Sequence, residues 1–265
     1  MHLRVSRLGQ DFYRNGPNHR AGADVSFVDI VKLFGFRGMR IGRWVTAEEQ
    51  QRAANLFFDA LCDLQQLLQV PEQVLSLNQS LTLTFGIGGQ PGACAHYQPR
   101  GRILALAKNA GAGSLAHEWF HAFDHYIASK VFNDADNQHF ASRCFLHQHR
   151  LKPHPLNQPL LEGFKTLLLS ADGSQPSAWF LHCVKLDRQR QQLYLSQPEE
   201  LCARAFEAML QAQPQKNHFL VSGTRQSDLA KAGAYPDAEL LQQLSTHWFR
   251  YFALLGQVLM AAQRQ

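Results

Sequence analysis

At 265 residues, with 45% hydrophobic and 18% charged residues, the chain can bury a large core, which excludes wholesale disorder. Its net charge of +5 is modest for that length and does not by itself indicate a nucleic-acid partner. Five cysteines, an odd number with no C-x-x-C pair, point to neither a disulfide framework nor a cysteine zinc site.

Met1-His-Leu-Arg-Val-Ser-Arg-Leu8 is charged and is followed by no apolar run of signal-peptide length. The longest apolar stretch, Tyr251 to Ala262, is interrupted by Gln257 and too short to cross a bilayer, so the expected compartment is the cytoplasm and no membrane partner is expected. Residues 1–33 are polar and basic, with Gly16-Pro17-Asn18 as a breaker, and are expected to drape over a single domain spanning 34–265. Phe34 to Val45 alternates apolar residues with arginine or glycine, the pattern of a short strand or hairpin. Its Arg37, Arg40 and Arg43 interleave with Phe36 and Trp44, which suits a nucleic-acid footprint or ordinary solubility. Thr46-Ala-Glu-Glu49 is a capping box that opens an amphipathic helix to about Leu68.

Leu81-Thr-Leu-Thr-Phe85 alternates as a strand, and Ala93–Tyr97 with Arg102–Ala107 completes a small sheet, expected to be mainly antiparallel. Between them, Phe85-Gly-Ile-Gly-Gly-Gln-Pro-Gly92 lacks the lysine of a phosphate loop and precedes a strand, so it reads as a hairpin turn or a flap. Lys108 to Ser114 is a small-residue loop, and Ser114 suits the N-cap of a helix running through Ile127 or a little beyond. Asn133 to Asn157 is irregular and holds His139, His147, His149 and His154, read as a solvated loop rather than ligands. Helices follow near Pro159–Ser170, Ser177–Asp187, Pro198–Gln211 and 237–262. The class is α+β, mostly helical.

The helix after Ser114 contains His117-Glu118-x-x-His121. Side chains four apart on a helix share a face about 5–6 Å apart. Two imidazoles there can converge on one ion with Zn–N bonds of ~2.0–2.1 Å, and Glu118 can then take a proton from the metal-bound water. Leu115, Trp119, Phe120, Ala122, Phe123 and Tyr126 would bury the helix. The blander reading is two structural histidines beside an exposed glutamate.

A hydrolytic zinc needs a third protein ligand and an open position. The best candidate is Glu200, in Ser196-Gln-Pro-Glu-Glu-Leu-Cys-Ala-Arg204. Ser196 and Glu199 have capping-box spacing, which assigns Glu199 to the cap and leaves Glu200 to point elsewhere. Glu200, Arg204 and Glu207 share a helix face, and a Glu200–Arg204 surface pair is the bland alternative. Asp124 lies on the metal face of the first helix; it is expected to brace the site by a hydrogen bond to a supporting loop, with third ligand as the alternative. Glu207 is expected to pair with an arginine or brace a ligand histidine.

His-Glu-x-x-His-Ala-x-Asp, followed downstream by Glu-hydrophobic-x-Ala-x-Ala-Phe, resembles the glutamate-ligand zincins, including the catalytic domain of anthrax lethal factor. Phe34–Val45, Phe85–Gly89, Ala95–Pro99 and Gly111–Glu118 resemble more closely a large polyvalent protein-associated domain found in proteins of phages and conjugative elements. With the Glu200 helix, that resemblance covers residues 34 to 222 and makes the 34–265 domain zincin-like. It implies His117, His121 and Glu200 as zinc ligands and Glu118 as catalytic base. Arg204 stands where the lethal-factor pattern has a second acidic residue, and Tyr194 lies one position nearer to Glu200 than the tyrosine of that pattern.

The expected activity is zinc-dependent hydrolysis of a peptide or protein substrate. Zinc would polarise the carbonyl and lower the pKa of its water to ~7, Glu118 would relay the proton to the leaving amine, and Tyr194, Tyr97 or a histidine would steady the oxyanion. Arg102–Ala107 would be the edge strand along which an extended peptide pairs. A different class is also open: a catalytically weak or inactive zincin serving as a metal-binding interaction module in mobile-element or nucleic-acid biology.

Overall fold

The computed structural model describes residues 11–87, 95–107 and 113–263. The first ten residues, most of the glycine-rich turn or flap, the start of the expected 93–97 strand with Cys94, and the loop at 108–112 lie outside the described residues. In chain order the elements are α1 (Phe27–Phe34), β1 (Gly38–Ile41), α2 (Ala47–Leu68), α3 (Glu72–Leu75), β2 (Thr82–Phe85), β3 (Ala95–Gln98), β4 (Ile103–Leu106), α4 (Leu115–Val131), α5 (Ala141–Leu146), α6 (Asn157–Leu168), α7 (Ala178–Arg190), α8 (Pro198–Ala212), α9 (Asp228–Lys231) and α10 (Ala238–Ala262). The fold is α+β. Two compact units are present: Met1–Leu67 with Pro71–Ala122 and Gln213–Ser222, and Leu68–Val70 with Phe123–Ala212 and Gly223–Gln265. The helix α4 begins among the residues of the first and ends among those of the second.

The first unit holds the sheet. Its strand order is β1-β2-β4-β3, with β1 parallel to β2, β2 parallel to β4, and only β3 antiparallel to its neighbour β4. The expected mainly antiparallel sheet is therefore corrected to a mixed one. Parallel neighbours need long crossovers, and α2 with α3 supplies one between β1 and β2. Only β3 and β4 are joined by a tight turn, closed by Arg102 N–H donating to Pro99 O at 3.1 Å. The same order corrects the expected edge: β4 is paired on both sides, and among the described residues β3 lies at one edge of the sheet. All four residues of β2 are buried, as suits an interior strand.

Local signals explain the helices of this unit. Thr46 and Glu49 form their capping box, Thr46 N–H donating to Glu49 Oε2 at 2.9 Å and Glu49 N–H to Thr46 Oγ1 at 3.2 Å. Ser26 and Asp29 make a second box that opens α1, where Ser26 N–H donates to Asp29 Oδ2 at 2.8 Å. Phe27, Ile30 and Phe34 of α1 are buried, so the basic N-terminal segment contributes to the core. Asp63 of α2, fully buried, anchors the chain before α1. It accepts from Arg14 Nε at 2.6 Å, Gln215 Nε2 at 2.7 Å and Asn217 Nδ2 at 2.7 Å, and pairs with His19 Nε2 at 2.8 Å. These contacts outweigh the burial that would raise its pKa and hold the carboxyl below the usual range.

The second unit is helical. Trp248 of α10 stands edge-on to Phe164 of α6 at 6.0 Å and lies 6.3 Å from Phe206 of α8; Phe252 is 5.1 Å from Phe123, midway along α4. Gly163 permits this close approach, because a Cβ there would lie 2.0 Å from Trp248 Nε1. The expected irregular region at 133–157 contains α5. Among the described residues no helix is long and apolar enough to cross a membrane.

Candidate metal centre

The entrance to α4 is fixed by backbone. Gly113 has φ +98°, a left-handed conformation that favours glycine, and a Cβ there would meet Ser222 Oγ at 2.1 Å. Gly113 N–H donates to Phe219 O at 3.1 Å, and Ala116 N–H donates to Leu220 O at 3.0 Å, which satisfies a donor the first helical turn cannot. Trp119 is fully buried and donates Nε1–H to Leu75 O at 3.0 Å, which sets the rotation of the helix about its axis.

With that rotation, His117 and His121 are buried at 9% and 8% exposure and their Nε2 atoms lie 3.0 Å apart. Two Zn–N bonds of ~2.0–2.1 Å at a tetrahedral angle put the nitrogens about 3.3 Å apart, so little adjustment would admit an ion. His117, His121 and Glu200 each offer a ligand atom, and these atoms lie within 4.8 Å of one another. Two imidazole nitrogens and a carboxylate oxygen form a donor set that suits zinc and leaves a coordination position for water or substrate. Glu118 is half-buried, and its Oε2 accepts the N–H of Tyr97, on β3, at 2.6 Å.

The supporting residues have specific tasks. Asp124 is fully buried and accepts both the N–H of Ser142 at 2.8 Å and its hydroxyl at 2.6 Å, at the start of α5. Glu207 accepts from the Tyr235 hydroxyl at 3.0 Å. Burial, followed by the charge of Glu207, pushes the Tyr235 phenol well above its ordinary value. Tyr194 is 45% exposed and contributes its backbone N–H to Asp187 Oδ2 at 3.2 Å.

The expected Ser196–Glu199 capping box is corrected. Ser196 donates its N–H at 2.8 Å and its hydroxyl at 2.7 Å to Asp187 Oδ2, while Glu199 pairs with Arg143. Asp187 also accepts Leu195 N–H at 2.8 Å. A carboxylate beside three consecutive backbone donors takes the Ser196 N–H and hydroxyl together, and the ion pair with Arg143 holds Glu199 elsewhere. Burial opposes ionisation of Asp187, but Ser196, Leu195 and Tyr194 more than offset it and hold its pKa below the ordinary value. Asp187→Asn should therefore destabilise the protein by about 2–3 kcal/mol near neutral pH. Because the folded pKa is depressed, this contribution is present above the unfolded value and fades as pH falls through the folded one. Urea unfolding of both proteins should show a gap at pH 7 that closes in strong acid; an equal gap at both pH values would contradict the role.

Three of the histidines at 133–157 have polar neighbours of their own. His139 Nδ1 lies 2.6 Å from Asp136 Oδ1, His149 Nδ1 lies 3.2 Å from Asp134 Oδ1, and His154 Nδ1 accepts Leu156 N–H at 3.2 Å. Among the described residues they form no metal-holding group. Burial pushes the Cys62 thiol up to about 12 and the Cys144 thiol up to about 11, which disfavours the thiolate of each.

The family described as large polyvalent protein-associated domain 1 matches residues 186–259. This match takes in Asp187, Glu200, Arg204, Glu207 and Tyr235 and lies downstream of His117-Glu118-x-x-His121. No curated protein and no solved structure matches the chain.

Proposed function

We propose that the protein is a zinc-dependent hydrolase acting on peptide bonds, with His117, His121 and Glu200 as metal ligands and Glu118 as general base. The observation that carries this reading is the approach of those three donors within 4.8 Å, two of them on the helix whose Glu118 is held against β3. When bound there, zinc supplies Lewis acidity, polarising a carbonyl and acidifying water. Glu118 takes the proton from the attacking water and delivers it to the leaving amine. The Tyr97 N–H fixes the Glu118 carboxylate in place for both transfers. As an edge of the sheet among the described residues, and the strand that holds Glu118, β3 replaces β4 as the strand an extended substrate would line.

Purified protein incubated with a peptide library should cleave it, lose the activity to a chelator and regain it with added zinc. Cleavage that persists after complete metal removal would overturn the reading. A metal-bearing interaction module is the second reading, favoured by a family match that lies outside the His117–His121 motif. Stoichiometric zinc without cleavage of any library peptide would select the module.

A further inference from the structure

Arg204 is 2% exposed, and a buried guanidinium needs acceptors on all sides. Its Nε donates to Ala234 O at 2.9 Å and its Nη2 donates to Leu195 O. Those bonds lock the plane of the guanidinium between the segment that precedes α8 and the segment that carries Tyr235. The third nitrogen is different: among the described residues Nη1 has no hydrogen-bond partner. It points toward Glu200, whose Oε2 lies 3.9 Å away, within ion-pair range but beyond a hydrogen bond. A preset, buried donor thus stops just short of one oxygen of the carboxylate assigned above to the metal.

We propose that Arg204 is a positioning residue for the metal ligand Glu200: its Nη1–H engages Oε2 when metal binds, so that Glu200 ligates through one oxygen in a fixed orientation. The proposal rests on the metal reading above. Arginine suits the task because its planar fork can satisfy two carbonyls and still present a donor in a set direction, which a lysine cannot do. Hydrogen-bonding partners of metal ligands typically change metal affinity by 10–100-fold.

Two measurements test this. In a crystal structure of the wild-type protein soaked with zinc, Arg204 Nη1 and Glu200 Oε2 should close to a charge-assisted hydrogen bond of about 2.7–2.9 Å, with Glu200 on the metal through its other oxygen alone. Coordination through both oxygens, or a separation still near 3.9 Å, would overturn the proposal. In solution, cobalt(II) titration should show Arg204→Met and Arg204→Lys binding metal about 10–100-fold more weakly than wild type, with an altered visible spectrum. In a Glu200→Ala background the same substitutions should change affinity no further. An equal loss in both backgrounds would make Arg204 merely structural. Wild-type protein that takes up neither metal would fail the hydrolase reading itself, whereas tight binding unaffected by Arg204 would fail this proposal alone.

Discussion

Glu118→Gln should leave zinc bound at about one ion per chain while peptide hydrolysis falls by about 10²–10⁴-fold, the usual contribution of a general base. Glutamine keeps the length of the side chain and an oxygen that can still accept the Tyr97 N–H, so the contact at 2.6 Å need not be lost. Only basicity is removed. The half-buried position of Glu118 limits the structural cost of the change, and the folding midpoint should stay close to wild type. Rates and zinc content measured on the same preparation decide the matter. Full activity with metal bound would take Glu118 out of the mechanism.

The largest effects on metal binding should come from His117→Ala, His121→Ala and Glu200→Ala. Each removes one of three donors that approach within 4.8 Å, and the survivors can no longer fill a zinc coordination sphere. Affinity measured by competition with a chromogenic chelator should fall by orders of magnitude for each. Glu207→Ala should cost at most 10–100-fold, since Glu207 is committed to the Tyr235 hydroxyl. If Glu207→Ala empties the site while Glu200→Ala leaves it filled, the ligand assignment on α8 is reversed.

What could be read in the sequence was local. His117-Glu118-x-x-His121 declares its geometry through helical spacing alone, and Thr46 with Glu49 announced the start of α2 in the same way. The small-residue entry to α4 and the alternation at 81–85 likewise depend on near neighbours. The box that opens α1 is harder to read because aspartate occupies the place usually held by glutamate or glutamine, and the polar composition before it suggests a draped segment.

What could not be read depends on distant partners. Strand direction is set by whether a crossover or a tight turn joins two neighbours, so three short strands close in sequence did not reveal that β2 lies parallel to both β1 and β4. The start of α8 shows the same limit. Ser196 and Glu199 have the right spacing for a cap, yet Asp187, in the preceding helix, takes the Ser196 donors and Arg143 takes Glu199. Arg204 looked like half of a surface pair with Glu200; burial at 2% exposure makes it an internal clamp instead. Tyr235 carries no signal in the sequence, because nothing near it in the chain points to Glu207.

The central claim is the metal site, and anomalous scattering tests it most directly. Crystals of the wild-type protein grown with equimolar zinc, measured on both sides of the zinc absorption edge, should show one strong anomalous peak about 2.0–2.2 Å from His117 Nε2, His121 Nε2 and one Glu200 oxygen. No peak at that position, or a peak confined to His139 and His149, would contradict the account.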